Sequence, residues 1–328
     1  MDERVLGRTG RTVSVVGLGC WQIGGGWGEV SEDDALAVIH AAVDAGVTLL
    51  DTADVYGDGR SEQLIGRFLR ERPDAGVTVA TKAGRRADPH VPEAFTLEAL
   101  RGWTDRSRRN LGVDRLDLLQ LHCPPTPVYG DDRVFDALDT LVDDGAIAAY
   151  GVSVETVAEA LQAIQRPALS TLQIIVNVFR RKPLEQVLPA AAAAGVGVLA
   201  RVPLASGLLT GRYDERTTFA ADDHRTFNRD GSAFDVGETF SGVPFDVGVR
   251  AAREVSALTP HGATTAQLAL RWLIDQPGLT TVIPGARNAE QARLNAAAAD
   301  LLPLADDVQE ALRRIYDDKV RPHVHSSW

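Results

Sequence analysis

The stretch GVTLLDTADVYG, residues 46–57, is apolar and β-favouring at first and then delivers Asp51, Asp54 and Tyr56 within six positions. Val, Thr, Leu and Leu bounded by glycine read as a strand covered on both faces, so its last residue points past the sheet. A bare carboxylate at the edge of a core is costly, and Asp51 therefore calls for a cation. GVTVATK, residues 76–82, ends in one of only three lysines in the chain, Lys82, Lys182 and Lys319; every other cation is arginine. A lysine where arginine serves elsewhere points to a compact ammonium of tunable pKa. Tyr56 can reach the same point, where an adjacent ammonium would lower its phenol from about 10 toward working pH and make it a general acid. His122, ending LDLLQLH at 116–122, can donate a hydrogen bond to the same oxygen. A phenol acid, its ammonium, a carboxylate counter-ion and an imidazole would protonate a developing alkoxide, and the set lacks only an electron source. A divalent metal on Asp51, Asp54 and His122 is the competing arrangement, disfavoured because Lys82 would take the metal's place.

Bringing these residues to one point requires the elements around them. Short β-rich runs alternate with amphipathic helical patterns: 13–19, 46–51, 76–82, 116–122, 147–153, 171–177, 195–201 and 280–286. The helical patterns carry cap signals, such as Ser31 before EDDALAVIHAAVDAG and Gly46 after its last turn. Eight such units predict an α/β fold, a (β/α)8 TIM barrel, with a doubly wound open sheet as the runner-up. Residues 4–15 read as a hairpin ahead of the first barrel strand, able to cover the barrel's bottom. Residues 203–245, after the seventh strand, read as a long loop, with Phe219, Phe227, Phe234 and Phe240 arguing against disorder. The expectation is one domain over residues 1–328.

In such barrels the strands' C-terminal ends build the site. Here those ends are Asp51, Lys82, His122, Ser153, Gln173 with Asn177, Arg201, and Gly285 with Arg287. After the eighth strand, Arg287, Gln291 and Asn295 stand at i, i+4 and i+8, and an arginine at a helix N-terminus suits a phosphate. A plain amphipathic surface helix is the alternative.

Composition narrows the partners. The 328 residues carry a formal net charge of −11, which argues against nucleic acid or an anionic membrane as a general partner. No apolar run of membrane-spanning length exists and MDERVLGRTGR is too charged for a signal-peptide core, so a cytoplasmic protein is expected. Cys20 and Cys123 are the only cysteines, without disulfide or zinc spacing, and read as free thiols.

The set Asp51, Tyr56, Lys82 and His122, within LGRTGRTVSVVGLGCWQIGG, LDTADVYGDGRSEQLIG, ATKAGRR, LDLLQLHCP, AAYGVS, QIIVN, VPLASGLLTG and TVIPGARNAEQARLN, resembles the aldo-keto reductases over nearly the whole chain. The resemblance implies a catalytic tetrad of those four residues, NADPH bound in extended form, and a small-molecule carbonyl substrate in a pocket of Trp21, Tyr56 and His122, with no metal. It also implies nicotinamide contacts from Trp21, Asp51, Ser153 and Gln173, with Asn177 either a further contact or a loop cap. Pro203, Leu204, Ser206, Gly207 and Arg212 would hold the pyrophosphate region, and Gly285, Arg287, Gln291 and Asn295 the adenosine end and its 2′-phosphate. The chain departs from many members at Arg201, where an aromatic ring usually stacks on the nicotinamide, at Val154 for Asn and at Leu294 for Glu. Arg201 could stack its guanidinium on the ring or reach a phosphate. The potassium-channel β subunits share this fold and tetrad, so a cofactor-sensing binding partner with slow turnover is the alternative function. Trp27 joins Trp21, Tyr56 and the loop aromatics as an expected pocket wall.

Overall fold

The computed structural model describes residues 1–25 and 30–328, so Trp27 lies outside the described residues. Two short strands, β1 (Glu3–Val5) and β2 (Thr12–Ser14), pair antiparallel as the expected hairpin. Eight parallel strands follow: β3 (Leu18–Gly19), β4 (Leu49–Asp51), β5 (Thr78–Ala83), β6 (Leu118–His122), β7 (Tyr150–Ser153), β8 (Thr171–Ile175), β9 (Gly197–Arg201) and β10 (Thr281–Val282). Each pairs with the next in sequence order. Gly17 N–H donates to Val282 O at 2.8 Å and Gly19 N–H to Pro284 O at 3.0 Å, so the last strand meets the first and the sheet closes. The architecture is the (β/α)8 barrel, not the open sheet.

The run at 13–19 is not one strand. Val13 belongs to the hairpin, opposite Arg4, and only the residues from Val16 onward enter the barrel. The other runs are strands over shorter spans than the apolar stretches suggest, because the stretches also include residues that carry the chain into the sheet or, at 171–177 and 280–286, away from it. Asn177 falls beyond the end of β8.

The barrel interior follows the period-two pleat. Leu49, Ala80, Leu118, Ala149, Leu199 and Ile283 form its lower layer, and Leu6 and Val13 of the hairpin region close it from below. Helices cover the outside, beginning with Glu32–Asp44, whose N-cap Ser31 accepts from Asp34 N–H at 3.1 Å.

The long loop after β9 is built of short turns, among them Ala205–Thr210, His224–Phe227, Val236–Glu238 and Phe240–Gly242. Its aromatics hold it together: Phe219 lies 5.8 Å from Phe240, and Phe240 lies 5.0 Å from Phe245. Among the described residues no helix is long and apolar enough to cross a membrane.

Candidate active site

One pleat repeat above the apolar layer, the same interior rows turn polar. Leu49 is followed by Asp51, Ala80 by Lys82, Leu118 by Gln120 and His122, and Leu199 by Arg201. These polar groups are buried, so they must satisfy one another. Lys82 Nζ donates to Asp51 Oδ1 at 2.6 Å, to the Thr52 carbonyl at 2.9 Å and to Tyr56 Oη at 3.4 Å. Asp51 Oδ2 accepts from Gln173 at 2.7 Å and from Gln120 at 3.3 Å. Gln120 escaped the sequence reading, although it stands two residues before His122 on the same strand face.

Burial pulls the Lys82 ammonium down, but Asp51 and Tyr56 together outweigh it and hold the group above its ordinary value. Tyr56 behaves otherwise than its lysine neighbour suggests. Burial raises the phenol, Lys82 opposes it, and the result stays above the ordinary value, because desolvation exceeds what one ammonium returns. His122 is driven well below its ordinary value by burial and then by Arg85, Lys82 and Arg201, so it is neutral. Its ring meets Tyr56 edge-on at 5.8 Å, and its Nδ1 finds no hydrogen-bond partner among the described residues.

Trp21, in the short helix Trp21–Gly24, stacks on Tyr56 at 6.0 Å between ring centres. Gly24 lets this helix lie against the tyrosine backbone; a Cβ there would stand 2.8 Å from Tyr56. Phe234 of the long loop meets Trp21 edge-on at 6.0 Å.

A cleft of about 340 Å³ runs from this cluster to the far end of the barrel mouth. Trp21, Asp51, Tyr56, Gln173 and Arg201 line its inner end. Pro203, Leu204, Ser206, Gly207 and Arg212 line its middle, and Gly285, Arg287, Gln291 and Asn295 its outer end. Ser153 is not among the lining residues: it is buried, and its hydroxyl accepts from the Cys123 thiol at 3.4 Å. Asn177 is a loop cap, its amide donating to Val202 O and Ser241 Oγ and its carbonyl accepting from Phe179 N–H. Ser206 Oγ donates to Glu238 O and accepts from Phe240 N–H, both at 3.0 Å, so this side chain ties down the long loop.

At the outer end the helix is Ala289–Ala296 with Asn288 as N-cap, so Arg287 precedes the helix. The i, i+4 relation survives as a backbone contact: Gln291 Oε1 accepts from Arg287 N–H at 2.9 Å. Asn295 donates to Gly285 O at 3.1 Å. Gln22, absent from the sequence reading, lays its carboxamide against Gly285.

Arg201, expected to stack on the nicotinamide or to reach a phosphate, gives its charge to other partners. Its guanidinium lies 2.7 Å from Glu155 and 2.8 Å from Glu238, and donates to Val154 O at 3.0 Å. Arg85 approaches the same two carboxylates at 3.7 and 4.0 Å. Glu155 could have been suspected, two residues past Ser153; Glu238 could not, because the long loop brings it in.

Three arginines, Arg212, Arg225 and Arg287, and the N-terminal turns of Thr265–Ile274 and Ala289–Ala296 border the middle and outer cleft. In a chain of net charge −11, this gathering of donors and cations fits an elongated ligand that is anionic away from Tyr56.

The family model described as Aldo/keto reductase family matches residues 15–317. The aldo-keto reductase YhdN of Bacillus subtilis is 34% identical over 301 residues, covering 89% of this chain and 86% of that protein. The solved glycerol dehydrogenase AKR11B4 of Gluconobacter oxydans superposes with a TM-score of 0.77 at 31% identity, over 98% of this chain and 95% of that one. An aldo-keto reductase of Klebsiella pneumoniae solved in complex with NADPH gives a TM-score of 0.71 at 26% identity, over 96% of each chain.

Proposed function

The chain belongs to the aldo/keto reductase family, and from that premise we propose that it reduces an aldehyde or ketone to the alcohol with NADPH as electron source. One observation carries the reading. Lys82 has only donors, and one of them is spent on Tyr56 Oη, so the phenol oxygen accepts there and its own proton is left to point toward a ligand. A phenol held above its ordinary value keeps that proton until an alkoxide, a far stronger base, takes it. The phenolate left behind sits beside an ammonium fixed by Asp51 and Thr52 O. His122, neutral, orients the substrate oxygen with an N–H. Trp21 and Phe234 give the substrate side apolar walls.

The cofactor, when bound, supplies the hydride. The inner cleft residues, Asp51 and Gln173 among them, would hold its nicotinamide end, and Arg212 and Arg287 its phosphates. The NADPH complex of the Klebsiella relative supports this choice. We assign the protein to the cytoplasm, as one domain over residues 1–328; two buried free thiols suit a reducing compartment.

Tyr56→Phe tests the proposal. Carbonyl reduction should fall by roughly 10²–10⁴-fold, the usual weight of a general acid, while the NADPH dissociation constant stays near the wild-type value. A variant retaining half its kcat would remove Tyr56 from the role. Wild-type turnover too slow to measure across a panel of small aldehydes would favour the cofactor-sensing alternative.

A further inference from the structure

The segment Asp235–Gly242 of the long loop carries Glu238 into the inner cleft and is fastened where it passes the barrel. Asp235 accepts from the Trp328 indole N–H at 3.0 Å. Glu238 pairs with Arg201 at 2.8 Å, and Ser241 accepts from Asn177 at 2.7 Å. Trp328 is only 9% exposed, and the Arg180 guanidinium lies 3.8 Å from its ring centre. The loop approaches the indole so closely that a Cβ on Gly242 would come within 2.3 Å of the ring. The fit between Trp328 and this segment is therefore specific in shape as well as in hydrogen bonding.

We propose that Trp328 is a positioning residue for the inner cleft: by clamping Asp235–Gly242 it keeps the Glu238 carboxylate on Arg201 and so sets the net charge at that end. Glu155 stands two residues past the end of the barrel strand β7, whereas Glu238 reaches Arg201 only while the loop segment is held. With Glu238 in place Arg85 and Arg201 are balanced by Glu155 and Glu238, and the adjoining Arg180 by Asp235. Without it, one positive charge is left beside the ligand in a site shielded from water. The inference rests on the reading that this end receives the nicotinamide. That ring is neutral in NADPH and cationic in NADP⁺, so an uncompensated guanidinium should weaken the oxidised form selectively. A role limited to holding the fold together would weaken both forms alike.

Calorimetric titration with NADPH and NADP⁺ decides the matter without turnover. Glu238→Gln should raise the ratio of the NADP⁺ to the NADPH dissociation constant by about 3- to 30-fold, as one charge at moderate distance and intermediate dielectric predicts. Trp328→Ala should raise the ratio in the same direction, and adding it to Glu238→Gln should change the ratio little further. Trp328→Phe, which keeps a ring on Arg180 but loses the donor to Asp235, should fall between, and it carries the test if the alanine variant does not fold. An unchanged ratio in Glu238→Gln, or in the Trp328 variants while Glu238→Gln shifts it, overturns the proposal. A wild-type protein that binds neither nucleotide would instead fail the functional reading beneath it.

Discussion

Asp51 and Lys82 are 3% and 1% exposed, so neither can be removed alone without stranding the other's charge. Lys82→Met should cost about 3–5 kcal/mol of stability and nearly all activity. Adding Asp51→Asn should restore part of the stability and none of the activity, because the stranded charge is gone while the ammonium beside Tyr56 is still missing; urea unfolding of the two variants makes the comparison. This pair was legible from type alone, since lysine is rare here and a carboxylate at a strand end needs a cation. Asp54, three residues on, was not. It is fully buried, both carboxylate oxygens lack partners among the described residues, and burial with nearby Glu62 raises it to about 7 from 3.8. Its folded state thus holds a proton that the unfolded chain releases earlier, so the stability it supports falls as pH rises from about 4 to about 7 and stays low above. Relative to Asp54→Asn, the wild type should lose about 1–3 kcal/mol between pH 5 and pH 8, a fraction of what a shift of this size allows. An equal difference at both pH values would contradict this.

At the scale of elements, the strands were readable because each interior row is apolar for one layer before it turns polar. Their limits were less so. VSVVGLG looks continuous, yet it serves two sheets, and only pairing partners distant in sequence divide it at Val16. Strand parity reaches further: Gln120 before His122 and Glu155 beyond Ser153 follow from a two-residue step. Glu238 and Trp328 do not, because their positions depend on how the long loop packs. The hairpin's role is separable from chemistry. Leu6 is fully buried in the barrel's lower layer with Leu49, Leu118 and Leu199. Leu6→Ala should therefore cost about 2–5 kcal/mol, as buried leucines do, while kcat per folded molecule stays unchanged. Denaturant unfolding paired with active-site titration checks both halves, and a fall in kcat would mean that the floor of the barrel transmits strain to its mouth.

For the molecule as a whole the question is how a protein of net charge −11 would attract a ligand as anionic as NADPH, the electron source proposed above. The global field opposes it, so a preference over NADH would have to come from cations inside the cleft. Three arginines line the middle and outer cleft, but they are not equivalent. Arg225 is committed to Asp223 and to Tyr213 Oη, at 2.5 and 2.6 Å, and its charge is largely answered. Arg212 belongs to the loop after β9, just past the turn Ala205–Thr210. Arg287 stands just before the N-cap of Ala289–Ala296, where its guanidinium and the helix's opening N–H groups can address one phosphate together. A charge-assisted hydrogen bond contributes roughly 1.5–3 kcal/mol, equivalent to about 10- to 150-fold in the NADPH/NADH ratio of kcat/KM. Arg287→Met should remove most of that ratio by weakening NADPH and leaving NADH nearly unchanged. Because Arg287 is exposed, the wild-type ratio should also shrink as salt rises, and the variant's ratio should respond less. Measuring kcat/KM for both cofactors at two ionic strengths separates the candidates: a ratio unchanged in Arg287→Met but lost in Arg212→Met would move the phosphate inward to the loop after β9.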